Sequence, residues 1–191
     1  MTTLEEAPAG QPSPEELSAA LADTEMQVSA YFGGLPGDTF FAGSAERWSP
    51  AHHLSHLILA HRPLSGALRL PKRALLAANG RAARESRGYT ELRVTYLAAL
   101  AAGGRASGRY LPALNGESQA QLVSGFHQAS QELRRAVSAW SEADLNRYLL
   151  PHPLMGQLTV RETLYFAIFH QLHHLNGVRD RLGQARGGAD E

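Results

Sequence analysis

The stretch that decides the fold is Thr159-Val160-Arg161-Glu162-Thr163-Leu164-Tyr165-Phe166-Ala167-Ile168-Phe169-His170-Gln171-Leu172-His173-His174-Leu175-Asn176-Gly177-Val178-Arg179-Asp180-Arg181-Leu182. Thr159 with Glu162 is a capping-box pair that opens a helix. Leu164, Ile168, Leu175, Val178 and Leu182 then recur at helical spacing, and Gly183 is the expected stop. His170 and His174 stand four apart, which puts their rings on one face, one turn apart, where they can share a metal. Measured against the Leu164–Ile168–Leu175–Leu182 stripe, both fall on one flank near Ala167, and His173 points to the far side. Tyr165, Phe166 and Phe169 lie off that stripe. A helix apolar nearly all round is central or covered, here by the middle of the chain or by a second copy, and a homodimer is expected.

Working outward, three further long segments read as helices. Ser13-Pro14-Glu15-Glu16 opens the first with a cap, a first-turn proline and a capping-box Glu. Leu17, Ala20, Leu21, Thr24, Val28 and Tyr31 follow before the Gly33-Gly34-Leu35-Pro36-Gly37 break. Ser49-Pro50 opens the second, with Leu54, Leu57, Ile58, His61, Leu64 and Leu68 on one stripe and a kink or early stop expected at Pro63. The third runs from about Glu117 to Trp140 on Leu122, Phe126, Ala129, Leu133 and Val137, with a short turn at 141–144. The stretch from Arg69 to Asn115 exceeds an ordinary bundle loop and is expected to carry a short helix over Thr90 to Ala101. No run reads as a strand, and 148–158, with Pro151 and Pro153, is extended at most. These observations predict an all-α four-helix bundle over residues 13–182, with a long crossover between helices 2 and 3 and flexible tails at 1–12 and 183–191.

Composition narrows the chemistry. The chain has 191 residues, 18 Lys+Arg against 18 Asp+Glu, nine His and no Cys. Without Cys there is no disulfide, Fe–S cluster, thiolate–zinc site or cysteine nucleophile. Any metal must be held by imidazole, carboxylate or water. The balanced charge gives no general signature of phosphate binding, so no nucleic-acid partner is expected. No apolar run is long enough for a membrane span, and the acidic, Pro-rich start is not a secretory signal, so a cytoplasmic address is expected. Arg62, Arg69, Lys72, Arg73, Arg81, Arg84, Arg87 and Arg93 make the crossover locally basic. Dispersed cations without interleaved aromatics read as a solvated connection rather than a binding patch.

A third metal ligand must come from another helix. The second offers His52, His53, His56 and His61, and periodicity does not choose among them. His61 lies on the apolar stripe and reads as a packed histidine with a hydrogen-bond partner. His56 points away from the stripe centre, although Leu57-Ile58-Leu59-Ala60 suggests a helix buried on more than one face. His127 reads as exposed. His152, between two prolines, reads as a loop residue able to approach a site mouth. His127, His152 and Tyr148 are general-base candidates by type alone, so no catalytic residue is assigned.

The segment Trp48-Ser49-Pro50-Ala51-His52-His53-Leu54-Ser55-His56-Leu57 resembles the start of the second helix of DinB/YfiT-like proteins. Gly156-Gln157-Leu158-Thr159-Val160-Arg161-Glu162 through His170 and His174 resembles their fourth. The resemblance implies helices in up-down-down-up order and a metal held by His56, His170 and His174. His52 departs from the pattern, standing where many members carry a carboxylate or a small polar residue, which leaves open an extra ligand or a supporting role. Three imidazoles with one open position are the catalytic rather than the structural zinc pattern. Imidazole also suits nickel or iron, so the expected cofactor is a divalent ion, zinc first. Some characterised relatives look like metal-dependent thiol transferases. By that analogy, the expected activity joins a low-molecular-weight thiol of the bacillithiol or mycothiol kind to an electrophile, or is a related hydrolysis. The alternatives are a non-catalytic metal-binding protein and a helical interaction module, either one with a stress-related role.

Overall fold

The computed structural model describes residues 11–44 and 46–187. Four long helices form it: α1 (Pro14–Gly33), α3 (Pro50–Leu68), α6 (Gln119–Val137) and α8 (Val160–Gly187). Between them lie the shorter α2 (Gly37–Phe41), α4 (Lys72–Asn79), α5 (Tyr89–Ala101) and α7 (Glu142–Arg147), and a hairpin of β1 (Leu149–His152) and β2 (Gly156–Thr159). The fold is mostly helical, as expected, with α6 packed on α3 and α1, and α8 packed on α1, α3 and α5.

Capping sets where the long helices begin. In α1, Glu16 N–H donates to Ser13 Oγ (3.2 Å) and Ser13 N–H to Glu16 Oε2 (2.7 Å). Ser118 and Gln121 make the same reciprocal pair at α6. At α3 the place of the acidic partner is taken by His52, whose Nδ1 lies 2.7 Å from Ser49 Oγ and 3.4 Å from Ser49 N. Each such cap satisfies backbone donors that the first turn would otherwise leave unpaired.

Several expectations are corrected. Helix α3 does not stop at Pro63 but runs to Leu68; a proline costs one i−4 hydrogen bond, and burial of Ser65 and Leu68 on the following turn holds the helix together. Helix α8 does not stop at Gly183 but continues to Gly187. Gln184, Ala185 and Arg186 are good helix formers, and a single glycine costs only about 1 kcal/mol. The turn at 141–144 is the start of α7, capped by Ser141 Oγ, and α4 is an additional helix in the crossover. Residues 149–159 are a true antiparallel hairpin, with Leu149 opposite Thr159 and His152 opposite Gly156. Pro151 fits because both strands of a two-stranded sheet are edges, and Gly156 takes the positive φ of 70° at the return. Pro12 in the expected N-terminal tail is tied down, its carbonyl accepting from the guanidinium of the fully buried Arg161. Residues 1–10 and 188–191 of the expected tails lie outside the described residues.

The apolar core falls into two clusters. One joins Leu17 and Leu21 of α1, Leu133 and Val137 of α6, and Val160 to Ile168 of α8 with the crossover and hairpin. The other joins Val28 and Phe32 of α1, Leu54 to Ile58 of α3, Leu122 to Ala129 of α6, and Leu175 and Val178 of α8. The aromatic face of α8 is covered by the crossover of the same chain: Tyr96 meets Phe166 at 5.0 Å and Tyr89 meets Tyr165 at 6.0 Å between ring centroids.

One ion-pair cluster pins the crossover to the start of α8. The Glu162 side chain is fully buried and accepts from both terminal guanidinium nitrogens of Arg84, from Arg87 N–H (2.8 Å), from Arg87 Nε (3.0 Å) and from Thr159 N–H (2.9 Å). Burial alone would raise the Glu162 pKa, but these donors outweigh it and hold it at about 2. The basic crossover is thus engaged with the bundle at Arg84 and Arg87. A depressed folded pKa gives stability that is present above the unfolded value near 4.5 and is lost as pH falls toward 2. Urea melts should therefore show the wild type losing up to about 3 kcal/mol more than Glu162→Gln across that window. Parallel pH profiles for the two proteins would show that the donors leave this carboxyl unperturbed.

Candidate metal centre

Helices α3 and α8 bring His56, His170 and His174 together, with one ring nitrogen from each within 4.8 Å of the others. His170 Nε2 lies 3.2 Å from His56 Nε2 and 2.9 Å from His174 Nε2. All three residues are buried. His56 is buried despite pointing away from the stripe, because α3 is covered on a second face. There the turn at Gly108–Tyr110 meets it, and Tyr110 O lies 2.7 Å from His56 Nδ1.

The donor set fits a divalent ion. Donation from His56 Nδ1 to a carbonyl places the proton on that nitrogen and leaves the Nε2 lone pair facing the cluster. Burial lowers the pKa of His56, and lowers those of His170 and His174 well below the ordinary value, so the rings are neutral near pH 7. Tetrahedral zinc with Zn–N near 2.0–2.1 Å spaces its ligand nitrogens about 3.3 Å apart, close to the separations seen here. His170 Nδ1 is buried without a hydrogen-bond partner. Such an orphan costs about 1–3 kcal/mol, which coordination through the opposite nitrogen would offset.

The remaining histidines separate by partner. His52 caps α3 and stands outside the three-histidine cluster. His53 Nδ1 lies 2.8 Å from His174 Nδ1, so it orients the His174 ring from behind. Nothing in the periodicity singled out His53, although its one-turn spacing from Ser49 and Leu57 puts it beside Trp48. The Trp48 ring closes this side, with centroids 5.1 Å from His56 and 5.6 Å from His53. His61 is the packed histidine the stripe suggested, 3.1 Å from Ser130 Oγ and against Phe126. His173 is half-buried against Phe169 and outside the cluster. His127 is exposed and pairs with Glu25, and Tyr148 packs on Trp140, so neither is near the site.

A cavity of about 180 Å³ opens onto the cluster, with His56 and His170 in its wall. Ala60, Leu64, Ala67 and Phe166 make it largely apolar, Tyr96 and Tyr110 come from the crossover, and Leu150 to Leu154 come from the hairpin. His152, expected in a loop near a site mouth, is part of this wall.

The supporting role of His53 can be separated from the capping role of His52. His53→Ala should weaken zinc binding by about 10- to 100-fold with helix content unchanged. His52→Ala should cost about 1 kcal/mol of stability and leave zinc affinity intact. Competition titration with a chromogenic chelator, alongside thermal melts, reads both. Equal zinc affinity in His53→Ala and wild type would remove His53 from the site.

A family model of the DinB superfamily matches residues 20–177. Among solved structures, the crystal structure of TT2238, a four-helix bundle protein, is similar with a TM-score of 0.54 and 19% identity, covering 86% of this chain and 96% of that one. At that identity the likeness shows the fold alone. No curated protein matches. With its bundle, its match over most of its length and its buried three-histidine cluster, the chain belongs to the DinB superfamily.

Proposed function

We propose that the protein is a metal-dependent enzyme in which His56, His170 and His174 hold a divalent ion, zinc first with nickel or iron as alternatives, to activate a small thiol of the bacillithiol type for transfer to an electrophile. Water is the alternative nucleophile of the same site. One observation carries this reading: the donor set stops at three and the fourth side is a cavity. Among the described residues the cluster contains no fourth ligand, and the neighbouring histidines are engaged elsewhere, His52 with Ser49, His53 with His174 and His61 with Ser130. Structural zinc sites close with four protein ligands, whereas catalytic sites keep a position open.

A bound divalent ion supplies Lewis acidity, lowering the pKa of a thiol or water beside it toward neutrality. The chain's residues do the rest. Tyr110 O fixes the orientation of His56, His53 fixes His174, and Phe166 stacks on His170 at 4.7 Å. The apolar wall keeps bulk water from the reacting atoms, which strengthens each electrostatic contact there. In the transfer, the thiol proton passes to solvent and the sulfur lone pair forms the bond to the electrophilic carbon as its leaving group departs. The two core clusters support the up-down-down-up order. Residues run from the first to the second along α1, from the second to the first along α3 and α6, and back along α8.

Elemental analysis of untagged protein should find about one zinc, nickel or iron ion per chain, lost in His56→Ala and His170→Ala and kept in His173→Ala, with helicity preserved in all. Bacillithiol conjugation to a chlorinated aromatic electrophile should then fall at least about 100-fold in the two metal-free variants. Full occupancy in His170→Ala would overturn the ligand assignment. An ion that no thiol perturbs would mark a structural site.

A further inference from the structure

We propose that His152 is a substrate-binding residue of this site, its Nε2–H donating a hydrogen bond to an oxygen acceptor on the molecule in the cavity. The ligand class is then a small, mostly apolar molecule with a carbonyl or similar oxygen a few bonds from the atom activated beside His56 and His170. This inference rests on the reading of the site given under Proposed function.

The tautomer follows from the hairpin. His152 Nδ1 accepts from the backbone N–H groups of Leu154 and Met155, both at 3.2 Å. A nitrogen that accepts is unprotonated, so the single proton of the neutral ring sits on Nε2. Burial lowers its pKa to about 4, which keeps the ring neutral at physiological pH. Nε2 has no hydrogen-bond partner among the described residues, although the ring is half-buried in the cavity wall.

The placement puts this donor beside the metal ligands. The His152 ring meets Phe166 edge-on at 4.4 Å, and Phe166 stacks on His170 at 4.7 Å. Pro151, Pro153, Leu154 and Ala167 around it carry no side-chain acceptor. A donor on the cavity wall is free to pair with whatever fills the cavity, and an occupant carrying an acceptor there replaces solvent at no loss of hydrogen bonding. The donor is also rigid: His152 ends β1 in register with Gly156, and prolines flank it on both sides. A preorganised donor loses little entropy on binding. Closing the hairpin turn explains Nδ1, but it gives Nε2 no task.

The test uses cobalt-loaded protein, whose visible bands report a thiol at the metal, and two uncharged thiols of equal chain length. Methyl 3-mercaptopropionate carries a carbonyl acceptor and 1-pentanethiol does not. The wild type should bind the ester up to about tenfold more tightly. His152→Asn can still accept from Leu154 and Met155 in the turn but does not extend a donor into the cavity. It should lose the preference while binding pentanethiol within about twofold of wild type and keeping its Tm. If that variant fails to fold, His152→Phe, which keeps the ring packed on Phe166, serves the same comparison. Equal affinities in the wild type, or a preference that survives in the variants, would overturn the role of His152 and leave the thiol reading standing. If neither thiol shifts the cobalt bands, the thiol reading falls and this inference falls with it.

Discussion

Between the two halves of the apolar core runs a layer of buried polar side chains, and satisfying it constrains the rest of the fold. Thr24 and Glu25 separate Leu21 from Val28 on α1, His61 and Ser65 separate Ile58 from Leu68 on α3, Ser130 follows Ala129 on α6, and His170 and Gln171 separate Ile168 from Leu175 on α8. Each buried polar atom needs a partner, because leaving one unpaired costs about 1–3 kcal/mol. His61 meets Ser130 and Thr24 returns to its own helix, but His61 Nε2, His170 Nδ1 and the Gln171 amide stay unpaired. A core built for stability alone would place leucine at these positions. That His170, one of three converging imidazoles, lies in this layer instead indicates a core whose packing is subordinate to a site.

That cost is contained by strong anchoring at one end of the bundle. The Glu162 carboxylate draws Arg84 and Arg87 of the crossover, and the fully buried Arg161 reaches Asn146 and the Pro12 carbonyl. These charge-assisted bonds are stronger than neutral ones. They tie the segment between α4 and α5 to the first turn of α8, and so fix where α5 lies. From there Tyr96 and Phe166 form one wall of the cavity.

The four long helices and the histidine pair were legible because both are local. Caps at Ser13, Ser49 and Thr159 and a 3.6-residue period need no knowledge of the rest of the chain. His56 was not legible from periodicity: the stripe argued against it, and only the likeness of Trp48 to Leu57 to known proteins selected it. The reason is physical. A stripe locates the largest buried face, whereas His56 is buried by the Gly108–Tyr110 turn, which lies 54 residues away from it. His53 was among the candidates but was not singled out for the same reason, its partner being on another helix. The hairpin was hidden by its prolines, which count against a strand except at an edge, and the run of α8 past Gly183 by reading one glycine as a stop.

The division of labour in the site follows from this difference between helix and connection. The three clustered imidazoles come from the bundle, whose geometry is set by core packing and is shared with a solved structure only 19% identical. The cavity comes from the connections: Tyr96, Arg105 and Tyr110 from the crossover, and Leu150 to Leu154 from the hairpin. Connections tolerate sequence change far better than packed helices do. Two chains with the same three histidines can therefore run the same elementary chemistry on unrelated ligands, and the fold is a poor guide to substrate. In this chain the donor that discriminates between ligands is expected where the backbone is stiffest outside the helices, at the His152 corner between Pro151 and Pro153. A hydrogen bond selects between molecules only when the group that makes it cannot move to accept the wrong one.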